Sequence, residues 1–262
     1  MLTVISPAKS LDLTPQKKIS KFTQPDFLDE SEHLSKKLQQ MSQKELSKLM
    51  GISQKLSELN HQRYAQWSTP FTPDNAKQAI LTFNGDVYTG LAATTFQARD
   101  FTFAQKHLRI LSGLYGVLKP LDLMQPYRLE MGTKLSTQQG KTLYDFWGSK
   151  ITMALNNELA THKQRVLINL ASNEYFKSVK TKELGARVVA PVFKEVKGGK
   201  SRIIALFAKK ARGKMAAWII QNRVESPNEL TKFNVEGYEF QKDESTEEKF
   251  IFVRPQPIPV SA

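Results

Sequence analysis

Apolar residues recur at helical spacing in the first third of the chain. Leu28, Leu34, Leu38 and Met41 follow Pro25 at intervals that place them on one side of a helix. Polar and charged residues occupy the intervening positions. The pattern predicts an amphipathic helix that begins after Pro25 and packs one face against a core.

Two capping signals divide the next apolar run into two helices. Ser42 and Glu45 form a capping box, in which each side chain satisfies a free amide of the other residue. Gly51 is a natural helix terminator. Ser53 can cap a following helix that runs toward Trp67. The sequence therefore predicts two short helices joined by a tight turn.

The rest of the chain alternates between short apolar runs, which predict strands, and amphipathic runs, which predict helices. The predicted strands are 79–83, 108–111, 166–170, 235–241 and 249–253, with a hairpin of 186–196 and 201–208 around Gly198-Gly199. The predicted helices are 100–107, 143–159 and 209–223. We therefore predict an α+β (mixed α/β) fold: a compact single domain over 1–262, with a helical N-terminal region and a mixed sheet. The acidic loop and Pro-rich tail at 242–262 are expected to be peripheral.

Charge separates along the chain. The formal net charge is +13 and the sequence pI is about 9.7. Residues 163–223 contain 15 basic and 3 acidic residues, whereas 224–262 contain 4 basic and 8 acidic residues. Clustered positive charge is typical of a surface that binds anions such as nucleic acid, and we expect it to line a basic cleft.

Several classes of site are excluded or disfavoured. The chain contains no cysteine, which excludes disulfides, thiolate metal sites and a cysteine nucleophile. Its four histidines are scattered, so we predict neither a metal site nor a cofactor. No stretch of about 18 apolar residues suggests a membrane span. The N-terminus has no basic leader followed by a long apolar run, and we expect a cytoplasmic protein without membrane partners.

The turn at Gly51 resembles a helix-hairpin-helix element over about 44–60, with Leu-x-x-Leu-x-Gly-Ile at its centre. In such an element, backbone amides and a helix N-terminus grip a DNA phosphate without reading bases. Lys48, Gly51, Ser53 and Lys55 would form this contact. The same residues also suit an ordinary pair of helices that packs into a core, and the sequence leaves both alternatives open.

A second cluster of cations opens the predicted helix 209–223. Lys209, Lys210, Arg212 and Lys214 stand where a helix already carries partial positive charge. This arrangement favours a bound phosphate, because an incoming anion would receive both the cations and the free amides. The alternative is a solvated run of charge.

A third set of residues suggests a small pocket. Lys9 follows a predicted strand, and Tyr127, Arg128 and Glu130 follow a glycine-punctuated segment. Together with Lys177, these groups suit an anionic substrate, because lysine and arginine bind the anion and a carboxyl or phenol moves a proton. Tyr127, Arg128 and Glu130 equally suit a structural ion pair with a hydroxyl anchor.

Five blocks carry a resemblance to a known family: 6–9, 85–91, 111–132, 169–179 and 209–213. In their order and spacing they resemble the YaaA family of bacterial peroxide-stress resistance proteins, over most of the chain. The resemblance implies a cytosolic protein that limits peroxide damage to DNA and lowers unincorporated iron. It also implies DNA binding through a positively charged cleft and a helix-hairpin-helix, which here falls on 46–56. No catalytic residues follow from it.

Two functions are therefore expected. The first is a peroxide-stress protein that contacts the backbone of duplex or structurally distorted DNA, with affinity that falls steeply as salt rises. The second is an enzyme acting on a small phosphorylated or nucleotide-like substrate in a pocket of Lys9, Tyr127, Arg128, Glu130 and Lys177.

Overall fold

A computed structural model of the protein describes residues 1–16 and 18–257. The strands are β1 (Leu2–Ile5), β2 (Ser10–Leu11), β3 (Lys77–Gln78), β4 (Phe83–Asn84), β5 (Leu108–Ser112), β6 (Gly116–Leu118), β7 (Leu123–Met124), β8 (Val166–Leu170), β9 (Arg187–Lys197), β10 (Lys200–Arg202), β11 (Glu239–Phe240) and β12 (Lys249–Pro255). The α-helices are α1 (Leu28–Gln39), α2 (Gln43–Met50), α3 (Gln54–Gln66), α4 (Ala79–Thr82), α5 (Asp86–Leu91), α6 (Ala98–His107), α7 (Leu143–Trp147), α8 (Lys150–Ala160), α9 (Asn173–Phe176) and α10 (Ala205–Gln221). Short 3₁₀ turns cover Ala93–Thr95, Pro227–Lys232 and Val235–Gly237.

A mixed sheet organises the fold. Its strand order is β11-β12-β9-β8-β1-β5-β6, and β10 pairs with β9 as an additional hairpin strand. The five central strands, from β12 to β5, run parallel, while β6 and β11 are antiparallel to their neighbours. All four residues of β1 are buried, as expected for a parallel strand covered on both faces. One hydrophobic cluster extends from this sheet to the N-terminal helices. The predicted mixed α/β fold is confirmed.

The predicted capping signals of the N-terminal region are confirmed. Ser42 and Glu45 form the capping box of α2, and Gly51 ends that helix in the left-handed conformation with φ +61°. Ser53 caps α3 by accepting a hydrogen bond from the amide of Leu56. These signals act within one helical turn, which is why the sequence alone locates them.

Two of the predicted elements are wrong because local pattern does not decide them. The apolar run 79–83 begins as the buried helix α4 rather than a strand, and only Phe83 joins β4. A short buried run has no periodicity that separates helix from strand. The predicted helix 143–159 is divided into α7 and α8 at Gly148, which has φ +49°.

Two further predictions misplace the end of a strand. The second strand of the predicted hairpin ends at Arg202, so α10 begins at Ala205 instead of 209. The predicted strand 235–241 contains a 3₁₀ turn before the short β11.

The C-terminal strand is not peripheral. β12 lies between β9 and β11 and pairs in parallel with β9 over seven residues. It carries Arg254, which is buried against Glu195 of β9, with 3.5 Å between Nε and Oε1. Residues 249–255 are therefore part of the sheet, although they fall within the stretch expected to be peripheral. Residues 258–262 of that stretch lie outside the described residues.

Candidate functional site

A cavity opens at the carboxyl ends of β1 and β8. In the sheet, β1 lies between β5 and β8, and along the chain β5 comes before β8. The carboxyl ends of β1 and β8 therefore flank a topological switch point. Ligands of open parallel sheets bind at such points. The loops are tied together there, because the amide of Ser172 donates a 2.8 Å hydrogen bond to Ser6 Oγ. We call this volume of about 410 Å³ the switch-point cavity.

Two glycines bring α5 and α10 together on one wall of this cavity. A Cβ on Gly213 would overlap with the carbonyl oxygen of Val87, and a Cβ on Gly90 would overlap with that of Lys210. Only glycine permits this backbone approach. The contact explains physically why glycine stands in both the 85–91 and the 209–213 blocks. It places Arg212 on the cavity wall.

Three of the five residues predicted to form a small pocket meet at the edge of the switch-point cavity. Lys9 Nζ lies 2.9 Å from Glu130 Oε2, and Arg128 Nη2 lies 3.3 Å from Glu130 Oε1. The carboxylate is thus held between two cations. The main chain at Arg128 is anchored by a 2.6 Å hydrogen bond from the hydroxyl of Tyr64 to its carbonyl oxygen. The structure brings together residues that lie far apart in the sequence.

Tyr127 and Lys177 do not join this cluster. The Tyr127 side chain is buried, and its hydroxyl lies 2.6 Å from Ser112 Oγ in a hydrogen bond. Burial raises the pKa of Tyr127 above its ordinary value. Lys177 is exposed, with Nζ 5.0 Å from the centre of the Tyr144 ring. The five-residue pocket expected from the sequence is therefore reduced to Lys9, Arg128 and Glu130.

Sequence reasoning missed two acids that line the cavity, Asp86 and Glu174. Asp86 follows Gly85 in the first turn of α5, and Glu174 follows the N-cap Ser172 in the first turn of α9. Glu174 Oε1 accepts a 2.9 Å hydrogen bond from the amide of Gly132. The available signal was the position of each acid at a helix start next to a strand end.

A second cavity of about 660 Å³ adjoins the first. Lys48 of α2, Arg128 and Lys134 contribute its cations. Glu130 and Glu174 line both cavities, so the two volumes meet at these carboxylates. The end of α2 thus borders the same recessed surface as the ends of the parallel strands.

The helical hairpin α2–α3 presents its lysines outward. Lys48 and Lys55 are exposed, whereas Leu46 is fully buried and Ile52 nearly so. Ser57 Oγ, on α3, donates a hydrogen bond to the carbonyl oxygen of Gln43 and fixes the two helices. The apolar residues therefore serve the core while the cations face solvent, so the geometry suits both alternatives that the sequence left open.

The cations of α10 do not stand at the start of the helix. Because α10 begins at Ala205, its first turn contains none of them. The amide of Ile204 is directed at Glu195 Oε2, at 3.4 Å. Lys209 and Arg212 line the switch-point cavity, and Lys214 Nζ pairs with Glu236 Oε1 at 2.9 Å. The expectation that these cations lie beside the free amides at the start of α10 is therefore wrong. Two of them, Lys209 and Arg212, do line a cavity.

The predicted basic cleft is not confirmed. The charged residues that line the switch-point cavity are mixed in sign: Lys9, Lys209, Arg212, Asp86, Glu130 and Glu174. The acidic C-terminal segment also folds back onto the basic segment, where Glu244 pairs with Lys194 at 2.7 Å. Charges that are separated along the chain are partly neutralised in space.

Two further observations concern the described residues only. In residues 1–16 and 18–257, no group of three or more His, Asp or Glu side chains is arranged to hold a metal ion. Over the same ranges, no helix is both long and apolar enough to cross a membrane.

The fold and cavity define an α/β protein with a ligand-sized recess at the switch point of a largely parallel sheet. A sequence model of the family described as "Peroxide stress protein YaaA" matches residues 1–244. The chain belongs to this family and is a peroxide stress response protein.

Proposed function

We propose that the protein protects DNA during peroxide stress, in the cytoplasm, by binding the backbone of duplex or structurally distorted DNA. The observation that carries this proposal is the α2–α3 hairpin. It presents Lys48 and Lys55 on either side of a left-handed Gly51. A turn of this kind before a helix N-terminus is suited to a phosphate rather than a base edge.

The start of α3 supplies donors beside these lysines. Ser53 Oγ accepts from the amide of Leu56, and the amides of Gln54 and Lys55 have no acceptor among the described residues. Unsatisfied amides at a helix start carry partial positive charge. A phosphate placed here would receive two amide donors and the charge of the neighbouring lysines.

The test is fluorescence anisotropy of labelled duplex and bulged DNA across a salt series. The Lys48→Ala/Lys55→Ala variant is compared with Lys163→Ala/Lys182→Ala, which removes the same charge. Lys163 and Lys182 are exposed and precede β8 and β9 at the opposite, amino-terminal edge of the parallel strands. This control separates a local contact from a change in net charge.

We expect steep salt dependence in the wild type, with a slope of about 0.9 per phosphate contacted. The hairpin variant should lose about two units of slope and roughly tenfold or more in affinity. The control variant should keep nearly the wild-type slope. Equal losses in the two variants, or binding that barely responds to salt, would show that the hairpin does not hold a phosphate.

The lowering of unincorporated iron is part of the same proposal. Cells that lack the family protein would be complemented with the wild type or with the hairpin variant, and scored for peroxide survival and for iron detectable by electron paramagnetic resonance. We expect the wild type to improve both measures. We expect the hairpin variant to lower iron but to give less protection. Full protection by that variant would mean that DNA binding through the hairpin is dispensable.

A second candidate function is an enzyme that acts on a small phosphorylated or nucleotide-like substrate. The observation that favours it is the meeting of Lys9, Arg128 and Glu130 at the edge of the switch-point cavity. Glu130 would move a proton, and Lys9 and Arg128 would hold the anionic substrate. Turnover of phosphorylated sugars and nucleotides by the wild type, lost in Glu130→Gln, would support this function. Turnover unaffected by that substitution would exclude the proton-transfer role.

A further inference from the structure

Arg212 is an arginine whose guanidinium has no protein partner in the described structure. It is partly buried on α10 and lines the switch-point cavity. Within 1–16 and 18–257, it forms neither a hydrogen bond nor an ion pair. Burial lowers the pKa of Arg212, and no neighbouring charge offsets that effect. Withdrawing a cation from water without a partner costs free energy, which a bound anion would offset.

Four other arginines that are withdrawn from water face carboxylates. Arg109 lies 2.8 Å from Glu158, and Arg223 lies 2.6 Å from Asp100. Arg254 and Arg128 likewise face carboxylates, at 3.0 and 3.3 Å. Arg63, which is also half-buried, has the amide oxygen of Asn60 at 3.4 Å. Arg212 differs from all of these, because it lines the switch-point cavity and has neither a carboxylate nor an amide partner among the described residues.

A second cation supports the same wall. Lys209 precedes Arg212 by three residues, which places the two on one side of α10. Lys209 is exposed, lines the cavity and has no ion pair among the described residues. By contrast, Lys214 is occupied by Glu236. A guanidinium beside an ammonium matches the double charge of a phosphate monoester better than the single charge of a carboxylate.

The other charged groups of the cavity leave this wall positive. Glu130 is held by Lys9 and Arg128, and Glu174 accepts from the amide of Gly132. Asp86 and Glu174 remain as acceptors for the hydroxyl or amino groups of a ligand. The apolar lining includes Pro7, Val87 and Leu170, with the rings of Tyr88 and Tyr175. About 410 Å³ falls within the usual range for one small ligand.

We propose that the switch-point cavity binds a small phosphate monoester of nucleotide size, with Arg212 and Lys209 holding the phosphate. This inference rests on the second candidate function and names its substrate class and anchoring residue. It is independent of DNA binding by the α2–α3 hairpin. The hydroxyl- or amine-bearing end of the ligand would lie toward Asp86 and Glu174.

The experiment is isothermal titration of the full chain with adenosine monophosphate, ribose 5-phosphate and inorganic phosphate. Adenosine, which is uncharged, and acetate, which carries a single charge, are the controls that lack a phosphate. Arg212→Gln and Lys209→Ala are compared with Lys210→Ala, which removes the same charge from an adjacent position outside the cavity lining. The Kd for duplex DNA is measured on each variant.

We expect the phosphate monoesters to bind and the controls not to bind. Arg212→Gln should weaken monoester binding at least tenfold, because a charge-assisted hydrogen bond is lost. Lys209→Ala should weaken it several-fold, and Lys210→Ala should change it less than about twofold. DNA affinity should stay unchanged in Arg212→Gln. Equal loss of DNA and monoester binding in that variant would overturn the proposal, because Arg212 would then belong to a DNA surface.

Thermal unfolding of Arg212→Met distinguishes a ligand anchor from a structural arginine. If the guanidinium is unpartnered without ligand, its removal should leave Tm unchanged or raise it. A fall of several degrees would show that Arg212 has a structural partner and would overturn the proposal. So would the absence of any monoester binding to the wild type at about 10 mM. Failure of the enzyme candidate alone would give a different result from failure of this proposal. The wild type and Glu130→Gln would then both bind monoesters, and the wild type would turn none over.

Discussion

Thr23 Oγ1 donates a 2.5 Å hydrogen bond to the buried carboxylate of Asp122, 99 residues away in the sequence. The amide of Lys119 donates to the other carboxylate oxygen at 2.7 Å. The contact joins the segment before α1 to the loop between β6 and β7. It also places an ionisable group where water hardly reaches, so that burial raises the pKa of Asp122 to about 6 despite these two bonds.

The raised pKa of Asp122 predicts a pH-dependent contribution to stability. Because the folded state binds the proton more tightly than the unfolded state, the contribution is fully present below about pH 4 and is lost as the pH rises through about 6. The loss should reach about 3 kcal/mol. Urea unfolding of the wild type and Asp122→Asn from pH 4 to 7 measures it. The prediction would be contradicted if the free energies of unfolding of the wild type and Asp122→Asn differed by the same amount at every pH.

Gly213 cannot carry a side chain without moving α5 away from α10. Because its Cβ would overlap with the carbonyl oxygen of Val87, Gly213→Ala should lower the free energy of unfolding by about 3 kcal/mol or more. The matched control is Gly185→Ala, since a Cβ there has its nearest neighbour at 3.7 Å. Denaturant unfolding should show little change for the control. Similar stabilities of the two variants would mean that the helices separate at little cost.

Gly51 is required for its backbone conformation rather than for space. A Cβ on Gly51 would meet nothing within 4 Å, but its φ of +61° disfavours other residues. We expect Gly51→Ala to cost about 1 kcal/mol and Gly51→Asn less, because asparagine tolerates this region. Chemical denaturation measures both. Equal losses of stability in the two variants would indicate that the left-handed conformation of Gly51 is not the cause of the loss.

Removing the cation beside Glu195 should be far more costly than removing an exposed one. Glu195 is completely buried, and Arg254→Leu would leave its charge without the arginine partner. We expect a loss of about 3–5 kcal/mol. The exposed Arg187 of β9 gives the control, because Arg187→Leu should be nearly neutral. Adding Glu195→Gln to Arg254→Leu should restore part of the loss, and no recovery would argue against a charge effect.

The parts of the fold that the sequence predicted are those governed by neighbouring residues. The Ser42 capping box and the Gly51 terminator act over a single turn, and both appear as expected. The run 79–83 depends on what covers it, and its local pattern does not choose between helix and strand. The start of α10 depends on how far β10 pairs with β9, which the sequence does not record.

The candidate site was predictable in its residue types and only partly in its grouping. The chemistry of Lys9 and Glu130 predicts that they share a pocket, and they are in contact. The same chemistry predicts Tyr127 beside them, but its hydroxyl pairs with Ser112 inside the core. The sequence predicts an anion site at Arg212 because it places a helix start there. The position of Arg212 on the cavity wall instead follows from the close packing of α5 against α10, which becomes visible only in three dimensions.

The position of β12 between β9 and β11 has a consequence for how the sheet is completed. Its parallel pairing covers β9, and its Arg254 neutralises Glu195, yet among the described residues it follows the other strands in the sequence. A nascent chain that lacks β12 would expose a strand edge and bury an uncompensated charge. A chain cut before β12 is therefore expected to be unable to complete the sheet.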